Sequence, residues 1–266
     1  MRASLLLITG NLALSLLGIL FLTEYRNPRR VKNVEIPSYF LLGMLFLIVS
    51  AIHMLEVKID PIVTSKYSLD FTRFIYNLEG NIVGTFQSWT NPFLDYYLVF
   101  VYMIGFPFLV YFTPAFFILS KDLKGLKMAV VAYAIIVSVA LPFYLFFPVN
   151  DAWWASQNYP WYTGKAIIFR LPQIWPGITN QFFRFTTINN CFPSLHSCLS
   201  MAMAGIIWLR GYKRFAIVAT FIAISIPIAT LYLGIHWFTD VIAGEFLALA
   251  AILISYKITT KITTGE

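Results

Sequence analysis

Charged residues are scarce in this chain, and their scarcity indicates its class. Asp, Glu, Lys and Arg make up only 12% of the 266 residues, whereas 59% are hydrophobic and the mean hydropathy is +0.74. A soluble globular domain is usually about 25% charged and about 45–50% apolar. The composition therefore excludes an ordinary soluble domain and indicates an integral membrane protein.

Cysteine is also rare, and its placement excludes a disulfide or a zinc motif. Only Cys191 and Cys198 occur, with no Cys-x-x-Cys or Cys/His metal spacing. If the segment after Pro193 is helical, they lie roughly 10 Å apart at about 1.5 Å per residue. A disulfide spans at most about 7 Å between Cα atoms, so we interpret both thiols as packing residues. The carboxylate cluster that Mg²⁺ requires is missing too, so we expect no metal and no other cofactor.

Hydrophobic runs predict the fold. A helix needs about 20 apolar residues to cross the hydrocarbon core of a bilayer. The runs that fit are Leu5–Leu22, Tyr39–Leu55, Phe93–Leu119, Met128–Phe147, Ser194–Leu209, Phe215–Leu233 and Trp237–Tyr256. The sequence thus predicts an all-α fold, in which residues 1–266 form one membrane domain with about seven transmembrane helices. We expect residues 5–22 to be an accessory helix beside a six-helix core, and the short fifth run to begin near a polar cavity.

Two long connections separate these runs. Residues 56–92 mix aromatic and charged residues at helical spacing, which predicts either an amphipathic interfacial segment or a partly ordered loop. Residues 148–192 are rich in Trp and Tyr, which favour the membrane–water boundary, so we expect an outer, lid-like loop. This aromatic density argues against disorder.

The basic residues predict an orientation in the membrane. Twelve of the 19 Lys and Arg residues fall in the short loops around residues 26–32, 121–127, 210–214 and 257–261. The positive-inside rule places these loops in the cytoplasm, so both long connections face the extracytoplasmic side of the cell membrane. The same rule accounts for the net charge of +7, and we therefore expect no nucleic-acid partner.

Ionisable groups at membrane depth are functional candidates, and all three histidines lie at or within the predicted spans. His236 and Asp240 are four residues apart, so they share a helix face within hydrogen-bond reach. A carboxylate that holds one ring nitrogen fixes the tautomer of a histidine and raises its basicity. We interpret His53 as a packed residue. Glu245 is five residues beyond Asp240, points away from His236 and has no expected catalytic role.

The third histidine, His196, opens the fifth predicted span. Pro193 suits the first turn of a helix, and the free N–H groups of that turn, with the Ser194 hydroxyl, form a cradle for an anion. The topology brings His196 and His236 to one side of the membrane. Two histidines, a carboxylate and a helix N-terminus suit phosphoryl transfer through a phosphohistidine, in which one histidine attacks phosphorus and the other protonates the leaving oxygen.

Two motifs resemble those of the type 2 phosphatidic acid phosphatase (PAP2) superfamily of membrane lipid phosphatases. Residues 193–196, Pro-Ser-Leu-His, are similar to its Pro-Ser-Gly-His motif. Residues 229–244 reproduce the spacing of its motif Ser-Arg, five residues, His, three residues, Asp. The resemblance extends over about Phe93–Tyr256. It implies a metal-independent enzyme with His236 as nucleophile, Asp240 as its orienting partner and His196 as general acid.

The sequence also departs from the family pattern. Ala229 and Thr230 replace the Ser-Arg pair, which removes a phosphate-binding arginine, and Leu195 replaces the glycine. These changes resemble the branch that includes inositol phosphorylceramide synthase. The family's remaining motif, Lys, six residues, Arg-Pro, is matched only loosely around residues 165–172. We therefore expect at least one cation of the 148–192 connection to bind phosphate beside Ser194; the candidates are Lys165, Arg170 and Arg184.

Three functions remain open from the sequence. The first is a lipid-phosphate phosphatase that cleaves a phosphomonoester or diphosphate of the polyprenyl diphosphate or phosphatidate type. Attack by an alcohol instead of water makes the protein a phosphotransferase resembling inositol phosphorylceramide synthase. The absent arginine also leaves open a non-catalytic lipid-binding or transport relative. Each function implies the bilayer and a membrane lipid phosphate as partners.

Overall fold

The fold is a bundle of α-helices. The structure is a computed structural model that describes residues 2–22 and 35–264, with side chains for residues 4–22 and 35–260. The helices are α1 (Arg2–Leu22), α2 (Ile36–Tyr67), α3 (Thr72–Glu79), α4 (Ile82–Phe86), α5 (Pro92–Phe100), α6 (Phe106–Leu119), α7 (Leu123–Phe146), α8 (Ala152–Asn158), α9 (Leu171–Ile174), α10 (Thr179–Phe182), α11 (Leu195–Leu209), α12 (Lys213–Tyr232) and α13 (Phe238–Thr264). Within the described ranges there is no β-strand, which confirms the all-α prediction.

The long helices are those of an integral membrane protein. Six segments of the described chain are long and apolar enough to cross a membrane. They are Ser4–Leu22, Ile36–Tyr67, Pro92–Leu119, Leu123–Phe146, Lys213–Tyr232 and Phe238–Thr260. The seventh predicted span corresponds to α11, which has 15 residues and is shorter than a full crossing. Because α11 packs against α7, α12 and α13, its apolar residues lie in the centre of the bundle.

The third crossing contains a local change of helix type. Asn91 caps α5 by accepting a hydrogen bond from the Phe93 N–H at 2.8 Å, and Pro92 occupies the first turn. A π-helical turn over Val101–Gly105 then joins α5 to α6. Such a turn adds a residue to the helix and changes which side chains face a neighbouring helix.

Helix α2 is longer than its hydrophobic run. The sequence predicts a span that ends at Leu55, but the helix continues to Tyr67. The continuation buries polar residues, so hydropathy does not reveal it. Asp60 is fully buried and accepts hydrogen bonds from Thr187 Oγ1 at 2.6 Å and Asn189 Nδ2 at 3.2 Å. The rest of the predicted 56–92 segment folds into the short helices α3 and α4.

The two ends of the bundle are stabilised differently. At one end, Asp122 caps α7 through the Gly125 N–H and accepts two hydrogen bonds from Arg210, at 2.8 and 3.0 Å. This ion pair connects the α6–α7 turn to the α11–α12 turn. Of the predicted cytoplasmic cations, Arg26, Arg29, Arg30 and Lys32 lie outside the described residues.

The 148–192 connection covers the other end of the bundle. It contains α8, α9 and α10 and is held by backbone hydrogen bonds to the turn between α12 and α13. Ala152 N–H donates to Ile235 O at 3.1 Å, and Trp153 N–H donates to Gly234 O at 2.8 Å. The first residues of α11 and α13 therefore meet beneath an ordered, aromatic layer.

Candidate active site

Two histidines from distant parts of the chain meet at this covered end. His236 Nε2 lies 3.4 Å from His196 Nδ1, and the ring centroids are 5.6 Å apart. His236 Nδ1 lies 3.4 Å from Asp240 Oδ2. His236 and Asp240 are almost completely buried, at 3% and 0% exposure. The sequence-predicted triad thus forms one continuous chain of side chains, which we call the His–His–Asp cluster.

The α12–α13 turn positions His236. Helix α13 begins at Phe238, so His236 precedes the helix rather than lying within it. Gly234 has a φ of +78°, and a Cβ there would lie 2.7 Å from Ile168 O, so only glycine fits this turn. Thr230 O accepts the backbone N–H groups of Ile235 at 3.0 Å and His236 at 3.3 Å, which fixes the backbone beneath the imidazole.

Asp240 is held in place by the first turn of α13. Its Oδ2 accepts the Trp237 N–H at 2.8 Å, while the buried Trp237 side chain donates from Nε1 to Asn150 O at 2.8 Å. Glu79 of α3 accepts the N–H groups of Phe238 and Thr239 at 3.1 and 2.7 Å, and its burial raises the pKa of its carboxyl. An acidic group at a helix N-terminus stabilises that end of the helix.

The start of α11 packs directly on α13. Ser194 caps α11 and donates its own backbone N–H to Asp240 O at 3.0 Å. A Cβ at Gly244 would lie 2.6 Å from Ser194 O, so the two helices are this close only because residue 244 is glycine. This contact places His196, two residues beyond Ser194, beside His236. The hydroxyl of Ser194 is fully buried and donates to Ser197 Oγ at 3.2 Å.

Aromatic rings hold the other faces of His196. Tyr102 stacks on the imidazole with centroids 4.7 Å apart, and Phe106 lies at 4.6 Å. Tyr102 belongs to the π-helical turn, and Phe106 is the first residue after it. Sequence reasoning missed both residues, because the turn that aligns them has no signal in the hydropathy pattern.

A second buried carboxyl lies beside the cluster and was also missed. Asp151 accepts hydrogen bonds from Cys191 Sγ at 3.1 Å and Trp153 Nε1 at 2.9 Å. Burial raises the pKa of Asp151 well above its ordinary value, and the charge of Asp240 adds to the rise. One sequence signal could have identified it, since Asp151 is the only acidic residue in the 148–192 connection.

Three side chains of the site could coordinate a metal ion. Ligand atoms of Cys191, His236 and Asp240 lie within 4.8 Å of one another, and all three residues are buried. A metal requires the thiolate form of cysteine. Burial raises the pKa of the Cys191 thiol, and the nearby Asp151 and Asp240 raise it further, so a metal ion here would have to displace the thiol proton. Both cysteines are free thiols, as the sequence predicts.

The three candidate phosphate-binding cations lie in different surroundings. Lys165 Nζ donates to Ser88 Oγ at 3.0 Å, and Arg170 forms an ion pair with Asp95 at 2.5 Å. Arg184 is exposed, lines the same cavity as the two histidines and has no ion-pair partner among the described residues. Of the three cations, the structure brings only Arg184 to the cavity of the cluster.

A cavity of about 780 Å³ begins at the His–His–Asp cluster. Its polar end is formed by His196, His236, Asp151, Asn190 and Arg184, and the remaining wall is largely apolar. Ligand sites usually enclose about 300–1,000 Å³ and combine an apolar lining with a few polar groups. His53 also lines the cavity and lies 3.3 Å from the buried Glu56.

The structure combines a membrane helix bundle with a cavity that has two histidines and a carboxylate at one end. These features are those of a membrane-enzyme class. The family model of the PAP2 superfamily matches residues 132–264, half of the chain. The chain therefore belongs to the PAP2 superfamily, whose members act as phosphatases on phosphate esters. The matched region holds His196, His236 and Asp240, but it does not include α1, α2, α5 or α6.

No curated protein matches the chain, and no solved structure matches it.

Proposed function

We propose that the protein is a lipid-phosphate phosphatase that works through a phosphohistidine on His236. The observation that carries the proposal is the continuous arrangement of Asp240, His236 and His196, with 3.4 Å between successive partners. Asp240 accepts the Nδ1–H of His236 and leaves the Nε2 lone pair facing the cavity. The substrate is a phosphomonoester or diphosphate of the polyprenyl or phosphatidate type.

The reaction follows from these positions. Nε2 of His236 bonds to phosphorus while the bond to the leaving oxygen breaks, and that oxygen takes a proton from His196. Water then attacks phosphorus and gives its proton to His196, and the P–N bond breaks with its electron pair returning to Nε2. His236 Nε2 attacks phosphorus on the side opposite the leaving oxygen. The phosphoryl group must therefore enter from the cavity and lie between the two imidazole rings, which move apart to admit it.

Charge on the transferred group is stabilised by donors of the chain itself. Thr230 occupies the position of the family's arginine, and its hydroxyl donates to Pro227 O within its own helix. Arg184 supplies the missing positive charge from the 148–192 connection, and the N-terminal turn of α11 adds backbone N–H groups. No step requires a metal, because the histidines provide both the nucleophile and the acid.

The site opens to the extracytoplasmic face of the cell membrane. The opposite end of the bundle carries a group of cations, and the positive-inside rule assigns such an end to the cytoplasm; they are Lys121, Lys124, Lys127, Arg210 and Lys213. The 148–192 connection then forms an outer lid, and its tryptophans lie at the headgroup level. Accordingly, the substrate headgroup approaches from the outer leaflet.

A labelling experiment tests the proposal. The purified protein is mixed with a lipid phosphate carrying ³²P and quenched in alkali, where a phosphohistidine survives and an acyl phosphate does not. Label is expected on the wild type and on the control Lys165→Ala, whose side chain lies outside the cavity, and none on His236→Ala. His196→Ala should release phosphate at least about 10²-fold more slowly, since general acid–base catalysis contributes about 10²–10⁴-fold. Unchanged phosphate release by His236→Ala would overturn the proposal.

A second arm of the same experiment distinguishes hydrolysis from transfer. Phosphate release is measured with and without an added polyol acceptor. Equal rates of inorganic phosphate release in both samples exclude the phosphotransferase. If phosphorylated polyol forms and less inorganic phosphate is released, the alcohol and not water attacks phosphorus in the second step.

A further inference from the structure

The N-terminal helix forms one wall of the cavity, in a pattern that runs its full length. The cavity-lining residues of α1 are Ser4, Leu7, Ile8, Asn11, Leu12, Ser15 and Ile19. They recur every three or four residues, so they form a single face of the helix. The neighbouring wall includes residues of α6 from Phe106 to Leu119.

Close glycine contacts hold α1 against the third crossing. A Cβ at Gly10 would lie 2.9 Å from Ile104 Cδ1, and one at Gly18 would lie 2.7 Å from Phe112 Cζ. The two contacts advance together along both helices, so α1 and the third crossing run in the same direction. Small residues of this kind allow membrane helices to approach closely. The wall is therefore packed along its length.

The cavity is deeper than one leaflet. Ser4 to Ile19 spans about 22 Å at about 1.5 Å per residue, and Phe106 to Leu119 spans about 20 Å by the same measure. The hydrocarbon core of a bilayer is about 30 Å thick, so a single leaflet provides about 15 Å. The cavity thus continues past the bilayer midplane, away from the His–His–Asp cluster.

We infer that α1 and α6 border a channel, open along one side, for one hydrocarbon chain of the substrate, and that the channel selects chains long enough to pass the bilayer midplane. This inference rests on the proposed function and deepens it. The polar end carries the two histidines and the cation Arg184, which suits a phosphate, and the apolar wall continues directly from them. A long polyprenyl phosphate has this shape: an anionic head followed by a single apolar chain.

A matched pair of substitutions tests the channel. Ser15→Trp fills it about 16 Å from the level of Ser4, at about 1.5 Å per residue. Ala13→Trp adds a similar volume at a similar depth, but Ala13 is exposed and does not line the cavity. Both variants are assayed as full-length protein on prenyl monophosphates of one and eleven isoprene units and on a two-chain phosphatidate.

The expected result is selective for chain length. Ser15→Trp should raise KM for the long polyprenyl phosphate roughly tenfold or more, since each buried methylene contributes about fourfold in affinity. The one-unit phosphate, whose chain is too short to reach residue 15, should keep its KM, and Ala13→Trp should change neither substrate. Equal effects on the short and long chains, or no effect on either, would overturn the inference. A preference for phosphatidate over the long polyprenyl phosphate would also contradict it.

A binding measurement separates this inference from the proposed function. His236→Ala protein is titrated with a long-chain polyprenyl phosphonate, which cannot be hydrolysed, with and without Ser15→Trp. Loss of binding through Ser15→Trp supports the channel even if no lipid phosphate is hydrolysed by the wild type. Equal binding by both proteins rejects the channel even if the wild type is an active phosphatase.

Discussion

Replacing Gly244 by alanine tests whether close packing of α11 on α13 sets the geometry of the histidines. The new Cβ would lie 2.6 Å from Ser194 O, whereas ordinary contacts begin at 3.4 Å. The Cβ is fixed by the backbone of α13, and Ser194 O belongs to the backbone at the start of α11. Neither atom can rotate away, so the helices must separate by about 0.8 Å to restore a contact of 3.4 Å. Ser194 lies two residues before His196, so this separation moves His196 away from His236.

The expected effect on activity is large compared with the effect on stability. A misplacement of about 1 Å can cost about 10²-fold in rate, which corresponds to roughly 2.7 kcal/mol of transition-state stabilisation. Overpacking costs about 1–3 kcal/mol of folding free energy. The higher helix propensity of alanine offsets about 1 kcal/mol of this loss of folding free energy. Gly244→Ala should therefore remain folded and lose about 99% of its kcat.

Two other glycines provide matched controls. A Cβ at Gly205, also at the interface of α11 with α13, would lie 2.7 Å from Ile252 Cδ1, the end of a flexible side chain. A Cβ at Gly43 would have nothing within 4 Å. The assay is kcat for phosphate release in detergent, with thermal unfolding measured on the same samples. Wild-type kcat in folded Gly244→Ala, or an equal loss in Gly205→Ala, would refute the reasoning.

Three further predictions concern charge, pH and metal. Arg184→Ala should lower kcat/KM about 10–100-fold, because a hydrogen bond to a charged group contributes about 1.5–3 kcal/mol, whereas Lys165→Ala should change it little; equal effects would contradict this assignment. Because the pKa of Asp151 is raised in the folded protein, the protonated carboxyl stabilises the fold. This contribution is complete at pH values below the unfolded-state pKa and is lost as pH rises through the folded-state pKa. The difference in melting temperature between wild type and Asp151→Asn, measured from pH 5 to pH 9, should therefore fall as pH rises, and a constant difference would exclude this explanation. Dialysis against EDTA should leave phosphate release unchanged, and a loss of activity that added Zn²⁺ restores would instead implicate the ligand set around Cys191.

Some of the site could be predicted because its signals are local in the chain. His236 and Asp240 are four residues apart, so the sequence predicts their contact, although the structure forms it from the turn before α13 and the first turn of that helix. Ser194 precedes an apolar run, which is the pattern of a helix N-cap. Hydropathy likewise predicted an all-α membrane bundle, since a segment that crosses a bilayer must be apolar along its length.

Other features depended on which segments pack together. The spacing of residues does not indicate that Tyr102 stacks on His196 or that Asp151 lies beside Cys191, since each pair joins segments that are 40 or more residues apart. The length of α2 was missed for a related reason: Asp60 and Thr64 are polar, and only their partners in the 148–192 connection make their burial favourable.

The amino-acid sequence by itself determined the class of protein, the membrane helices and the three residues of the His–His–Asp cluster. Hydrophobic length is a property of neighbouring residues, and the three site residues were identified through the resemblance of two short motifs to those of the PAP2 superfamily. The tertiary structure alone decided that Arg184, and neither Lys165 nor Arg170, reaches the cavity, and that α1 forms its long wall. A flexible cation in a loop can reach many partners, and only the packed arrangement of the helices determines which one it meets.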